Sequence, residues 1–210
     1  DSPSNCGDMP YLSSAVYALA AVATGRVASM TVDERWHLYV NPDWVAATDV
    51  PVIAARLAHL VWHLLAEHAD RARDLDVRRT QSRMWSVAAD ATIAELLNSA
   101  HLATELMPPK DLGWPTGRSA EEHFARAGRL DVELEPHPDG NASDRTGGPD
   151  PVDDSCGSGC DGHVRPHDLP PVGGESGVDS HDADEIRRRV AIEFSQHQAG
   201  HGTAPGEWSR

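Results

Sequence analysis

Two histidines in the stretch from Arg56 to His68, His59 and His63, are the residues of this sequence best placed to do chemistry. Their spacing, His59-Leu-Val-Trp-His63, puts both imidazoles on one face of a helix, one turn apart. One Zn²⁺ can take a nitrogen from each, with a third ligand arriving from another element. In the helical H-E-x-x-H motif the second residue is the general base that takes a proton from the metal-activated water. Leu60 stands there and cannot accept a proton. The stretch therefore points to a metal site more strongly than to hydrolysis. Loss of a general base typically costs ~10²–10⁴ in rate, so hydrolysis is expected to be weak or absent. Glu67 shares the face of His63 but lies a turn away, and it and Asp70 are the carboxylates that could stand in for the base.

The elements that would position this pair follow from periodicity. Thr48 or Asp49 can cap a helix with Pro51 in its first turn, running to about Asp74. Ile53, Leu57, Val61 and Leu64 form its apolar stripe, with His59 and His63 on the other side. At ~100° per residue His68 falls about 140° from His63. That makes His68 a poor third ligand unless the helix breaks, and no glycine is present to break it. A following helix, roughly Thr80 to Ala100, buries Ser86, Ala89, Ile93, Leu96 and Leu97, and Asp90 falls inside that arc. A carboxylate on an apolar face needs a partner, and a metal on the neighbouring helix would be one. The alternative is a surface histidine pair, with Asp90 bound to an arginine such as Arg56 or Arg71.

Upstream, Pro10–Thr24 reads as a small helix stopped by Gly25. Met30 and Val32, then Trp36, Leu38 and Val40, alternate about Asp33-Glu34 as a β-hairpin ended by Asn41-Pro42, with a short helical turn at Asp43–Ala47. Downstream, Met107–Gly117 is a Pro/Gly loop and Ser119-Ala-Glu-Glu122 is a capping-box signature opening a short helix. Residues 131–181 are rich in Gly, Pro and Asp and read as loop or disorder. Ile186, Val190 and Phe194 mark a last helix over Asp184–Ala199.

The chain has 210 residues, 33 acidic against 18 basic, a formal net charge of −15. That balance argues against nucleic acid as a partner, since phosphate binding needs clustered Lys and Arg. No apolar run approaches the ~20 residues of a membrane span, so no membrane partner is expected. Three cysteines do not make a disulfide framework, and the odd count points to a reducing, cytoplasmic setting. The residues after Asp1 lack the basic and apolar regions of a secretory leader. Cys156, Cys160, His163 and His167 can be read as a second zinc site, but their spacing is irregular and their surroundings Gly/Pro-rich. The plainer reading is a loop with incidental histidines, and a Cys156–Cys160 disulfide is not expected in a reducing compartment. The arginines around Arg71, Arg73, Arg78 and Arg79 read as a solvated face, and Trp36, Trp62, Trp85 and Trp114 as core or rim aromatics.

Taken together, the motifs resemble the metallopeptidase domain found upstream of a von Willebrand factor A-like domain in many bacterial proteins. The resemblance rests on Pro10-Tyr11-Leu12, on Val32-Asp33, Trp36, Tyr39 and Pro42, and on His59, His63, His68 and Arg71. It continues through Trp85, Ala88, Asp90 and Ile93, Cys156-Gly157-Ser158, and Gly202-Thr203-Ala204-Pro205-Gly206-Glu207-Trp208. The family's Glu is Leu60, its Asn after Trp is Ser86, and its Asn after Ile is Ala94; the sequence ends at Arg210, before any von Willebrand-like domain. The resemblance implies an α+β, mostly helical zincin-like domain with a β-hairpin before the metal-binding helix. It divides into a core over 1–130, the loop or disordered segment over 131–181, and over 182–210 a C-terminal helix and Gly-Thr-x-Pro-x-x-Trp end packing back on the core. It implies Zn²⁺ on His59, His63 and Asp90, no certain catalytic residue because Leu60 holds the base position, and a peptide or protein substrate if hydrolysis remains. In that case the hairpin near Trp36–Val40 would align an extended substrate by strand addition. The alternative it implies is a non-catalytic interaction module working with a MoxR-type AAA ATPase and a von Willebrand-like system.

Overall fold

The computed structural model describes residues 9–99, 102, 104–129, 155–170 and 177–198. The Gly202–Trp208 motif and much of the 131–181 segment lie outside the described residues. The architecture is mostly helical α+β, with a small mixed sheet preceding the main helices.

A 3-10 turn over Pro10–Leu12 leads into α1 (Ser13–Ala18), and the chain then turns extended as β1 (Ala20–Ala23). The helix expected through Thr24 therefore stops six residues early. Ala-Ala-Val-Ala has no strong intrinsic preference, and pairing decides its state: β1 lies parallel to β3 (His37–Val40) in the register Ala20 with His37 through Ala23 with Val40. The hairpin itself is as expected. β2 (Met30–Val32) runs antiparallel to β3, and Asp33 to Trp36 make the turn. Trp36 takes the left-handed position of that turn (φ 65°) while fully buried, an arrangement that costs a non-glycine residue about 1–2 kcal/mol. The Asp33 carboxylate holds the turn shut, accepting from the Arg35 and His37 amides (both 2.9 Å), His37 Nδ1 (2.7 Å) and the Tyr39 hydroxyl (2.8 Å).

The strand order β1-β3-β2 bears on the strand addition expected near Trp36–Val40. β3 is central, with both edges paired, so it has no free edge for an extended peptide. At the outer edge of β2 the Val32 amide already donates to the Cys156 carbonyl (3.0 Å).

Asn41 caps α2 (Pro42–Ala47) by accepting from the Asp43 and Trp44 amides, and Asp49 precedes α3 (Val50–Leu65). The long helix expected to reach Asp74 breaks after Leu65. Glu67 adopts a left-handed conformation (φ 55°), and α4 (His68–Asp74) leaves at a bend of 44°. No glycine makes the break; tertiary contacts hold it. Arg71 donates to the Ala66 carbonyl (3.1 Å), and Arg187 donates to the Leu64 carbonyl (3.1 Å) while pairing with Glu67 (3.1 Å). These guanidiniums satisfy carbonyls that a helix end leaves open.

After a 3-10 turn at Arg79–Gln81, α5 (Ser82–Ser99) packs beside α3. A 3-10 turn at Pro109–Leu112 leads to α6 (Ala120–Arg129), opened by the expected reciprocal bonds of Ser119 and Glu122. α7 (Ser158–Asp161) is a single buried turn against α4 and α5, and α8 (Ser180–Gln198) closes over α1. Phe194 of α8 packs edge-on against Tyr11 (5.0 Å) and Trp62 (6.2 Å). Trp36, Trp62 and Trp85 are fully buried, as is Leu60. The second half of α3, Ala58 to Leu65, is buried on all sides, so the face carrying the histidines meets α5 and residues 155–161 and not solvent. Arg71 is not solvated either: it binds both oxygens of Glu121, with Nη2 to Oε2 at 2.6 Å.

Candidate metal centre

The α3 pair and α5 deliver the three expected groups to one point. His59 Nε2 lies 2.8 Å from His63 Nε2 and 2.9 Å from Asp90 Oδ1, and His63 Nε2 lies 3.1 Å from the same oxygen. Both histidines are buried, and a quarter of the Asp90 side chain stays accessible. Neither Arg56 nor Arg71 pairs with Asp90; Arg56 Nη2 binds the Met30 and Ser155 carbonyls (2.9 and 3.1 Å).

A fourth donor comes from the segment that reads as loop. Cys156 Sγ stands 3.7 Å from His59 Nε2, and the four donor atoms of His59, His63, Asp90 and Cys156 all lie within 4.8 Å of one another. Three contacts place the cysteine. The Cys156 carbonyl accepts from Val32, Arg56 ties the preceding residue to β2, and Gly157 presses flat on that strand. A Cβ on Gly157 would sit 2.2 Å from the Val32 carbonyl oxygen, and its φ of +92° is itself unfavourable to other residues. Trp85 Nε1 fixes the next turn by donating to the Cys160 carbonyl (2.9 Å).

A second cluster at Cys156, Cys160, His163 and His167, the lesser reading, does not assemble among the described residues. Cys156 goes to the His59 site, Cys160 approaches Ser86 Oγ (3.6 Å), and His167 lies 3.4 Å from Thr31 Oγ1. The His59, His63, Asp90 and Cys156 set is the group of that kind among the described residues. Ser86 thus serves the cysteine turn. Glu67 and Asp70 are no substitute bases here, since their carboxylates are held by Arg187 and Arg73.

His68 joins the site in a role other than ligand. The break at Glu67 swings it under α3, so that its Nδ1 lies 3.0 Å from His63 Nδ1, with its ring edge-on to Trp85. Burial, the neighbouring His63 and Arg71 hold its pKa well below the usual imidazole value. A neutral His68 accepts the His63 Nδ1–H and leaves His63 Nε2 facing the cluster, the orienting arrangement that metal-ligating histidines usually have.

The electrostatics fit a cation. Burial disfavours charge on His59, yet the Cys156 and Asp90 anions outweigh it and raise the imidazole to about 9. His63 is raised against the same burial by Cys156 and Asp90. Burial and the Cys156 charge push Asp90 upward, but its bonds to His59 and His63 bring it below the usual carboxylate range. The Cys156 thiol is lowered well below its ordinary value, first by a hydrogen bond from Cys160 and then, against burial, by both imidazoles. The cluster therefore pairs an anionic sulfur and carboxylate with two imidazoles that carry protons only in place of another positive charge. Two Nε2 atoms, a carboxylate oxygen and a thiolate sulfur are a donor set suited to tetrahedral zinc. Their contacts run from 2.8 to 3.7 Å and all four donors lie within 4.8 Å of one another, around the roughly 3.3–3.6 Å that separates one sulfur and three nitrogen or oxygen ligands on a tetrahedral ion.

The family model described as "Putative metallopeptidase domain" matches residues 6–210. No curated protein and no solved structure matches the chain.

Proposed function

The chain belongs to the putative metallopeptidase domain family, and from that premise we propose that it is a zinc-binding member that keeps the ion and has lost peptidase-level hydrolysis. His59, His63, Asp90 and Cys156 would hold the ion. The observation that carries this reading is the convergence of four protein donors beside a base position filled by a fully buried leucine.

Catalytic zinc sites present three protein ligands and keep the fourth position open, whereas structural sites are closed by four. Zinc bound through three ligands would lower the pKa of a water and polarise a carbonyl. Here Cys156 would supply a fourth ligand, and Leu60 offers no acceptor for a water's proton. Asp90 and the two histidines would bind, Cys156 would close, and His68 would orient. A closed site makes the ion a staple among α3, α5 and the Cys156 segment. A stapled scaffold suits the interaction role beside a MoxR-type AAA ATPase.

The test is elemental analysis of the purified protein, with cleavage of an unfolded protein substrate as the second readout. Stoichiometric zinc, lost in His59→Ala and Asp90→Ala, and no cleavage are expected. Metal-free wild-type protein would overturn the metal site. Cleavage that His63→Ala abolishes would overturn the loss of hydrolysis.

A further inference from the structure

The break that carries His68 under α3 is held from a helix that supplies no donor to the cluster. Arg71 donates through Nη1 to the Ala66 carbonyl (3.1 Å), and through Nε and Nη2 to the two carboxylate oxygens of Glu121 (2.5 and 2.6 Å). A guanidinium is planar and rigid, so two parallel bonds to one carboxylate fix its plane and the direction of its remaining nitrogen. That nitrogen meets the carbonyl of the residue that caps α3, one position before the left-handed Glu67 and two before His68. His68 is fully buried, with Trp85 edge-on at 6.2 Å, and its Nδ1 lies 3.0 Å from His63 Nδ1. Arg187, which takes the Leu64 carbonyl, pairs with Glu67 and Asp184, both more exposed than Glu121, so Glu121 is the better buried anchor. It stands in the first turn of α6, and α6 packs along α5, the helix of Asp90.

We propose that Glu121 is a positioning residue for the metal centre, acting through Arg71 and His68 on the ring of His63. Each link is a hydrogen bond or a step of one or two residues: Glu121 to Arg71, Arg71 to the Ala66 carbonyl, Ala66 to His68, His68 to His63. Without Glu121 the Arg71 guanidinium loses the pair that fixes its plane, and the Ala66 carbonyl loses a directed donor. His68 then has no single place from which to accept the His63 Nδ1–H, and His63 Nε2 faces the donor set in a smaller fraction of molecules. The effect on ion affinity rests on the proposed metal site; the effect on the His63–His68 bond does not.

The experiment measures zinc affinity of the full chain, by competition with a chromogenic chelator, for Glu121→Ala, His68→Ala and the double variant. The imidazole ¹⁵N–¹H spectrum of metal-free protein is the second readout. Glu121→Ala should lower affinity about 10-fold, the low end of the cost of losing an outer partner of a metal-ligating histidine. In the His68→Ala background the same substitution should cost less than about 2-fold, because the two residues act in series. In metal-free wild type the proton between His63 and His68 should give a slowly exchanging resonance that Glu121→Ala broadens away. Glu121→Gln, which keeps one acceptor oxygen at the same reach, should fall between the two in both readouts. A resonance that Glu121→Ala leaves intact, or an equal fold-loss of affinity with and without His68, would overturn the proposal and leave Glu121 a merely structural pair. Wild type that binds no zinc but shows the Glu121-dependent resonance would count against the metal site alone.

Discussion

At the scale of single residues, the donor set divides by how each member reaches the site. His59 and His63 share a face through helical spacing, and Asp90 enters because a carboxylate inside an apolar arc needs a counter-charge. Cys156 lies 97 residues from His59 in sequence, and no periodicity links the two. Its Cys-Gly-Ser setting is legible, but with Cys160, His163 and His167 nearby it reads as a loop with incidental histidines, and its approach to His59 comes only with the fold. Arg56, a partner for Asp90 only under the alternative reading, spans β2 and Ser155. Two substitutions probe these roles. Cys156→Ala should lower zinc affinity by about 100-fold or more in a chelator competition and remove the thiolate charge-transfer band of the cobalt-substituted protein. An unchanged band would place the sulfur outside the coordination shell. His68→Ala should lower affinity by roughly 10–100-fold with that band intact, because His68 orients His63 and does not itself bind.

At the scale of elements, what was legible is what local chemistry dictates: the alternating hairpin, the Ser119 capping box, the amphipathic α5 and α8. What was not legible depends on tertiary partners. The sequence Leu65-Ala66-Glu67-His68 contains no helix breaker, and the kink exists because Arg71 and Arg187 receive the carbonyls it frees. β1 exists because β3 offers an edge. The Arg187 contact and the β3 edge lie outside any window of local sequence, and Arg71, though near, does not by itself mark a break. The kink predicts a contrast. Glu67→Gly should leave stability unchanged within about 1 kcal/mol in denaturant unfolding, since relief of left-handed strain offsets the entropy glycine adds and the loss of an exposed ion pair. Glu67→Val should cost about 1–3 kcal/mol, because β-branching is worst at positive φ. Equal effects of the two would mean that the backbone there is not left-handed. Gly157→Ala should be the more damaging, since its Cβ would collide with the Val32 carbonyl. Detachment of Cys156 should accompany it, measured as loss of bound zinc.

At the scale of the molecule, charge and, on the proposed reading, a bound ion would set the conditions under which the fold persists. Burial opposes charge on Glu121, but the Arg71 pair and the Ser119 bond outweigh it and hold its pKa at about 2, down from 4.5. A carboxyl depressed by folding stabilises above its unfolded pKa, and that contribution is lost as pH falls through the folded one. Glu121 thus favours the fold at neutral pH and ceases to do so between about pH 4.5 and 2. With a third of its side chain exposed, solvent screening limits the contribution to about 1 kcal/mol. Glu121→Gln should accordingly flatten the stability profile across that window, and an unaltered slope would show the pair to be idle. The proposed ion would act on a larger scale. It would join α3, α5 and the segment after residue 154, which lie far apart in the chain and meet only in the fold. An ion that binds the folded chain and not the unfolded one stabilises by RT ln(1 + [Zn]/Kd), about 4 kcal/mol at a thousand-fold excess over Kd. For a chain of this size that corresponds to a rise in Tm of roughly 10 °C. Thermal unfolding with and without a chelator should show that drop in wild-type protein, a smaller one in Cys156→Ala, and none in the His59→Ala, Asp90→Ala double variant. A chelator-insensitive wild type that still carries zinc would mean that the ion sits on the fold without joining its parts.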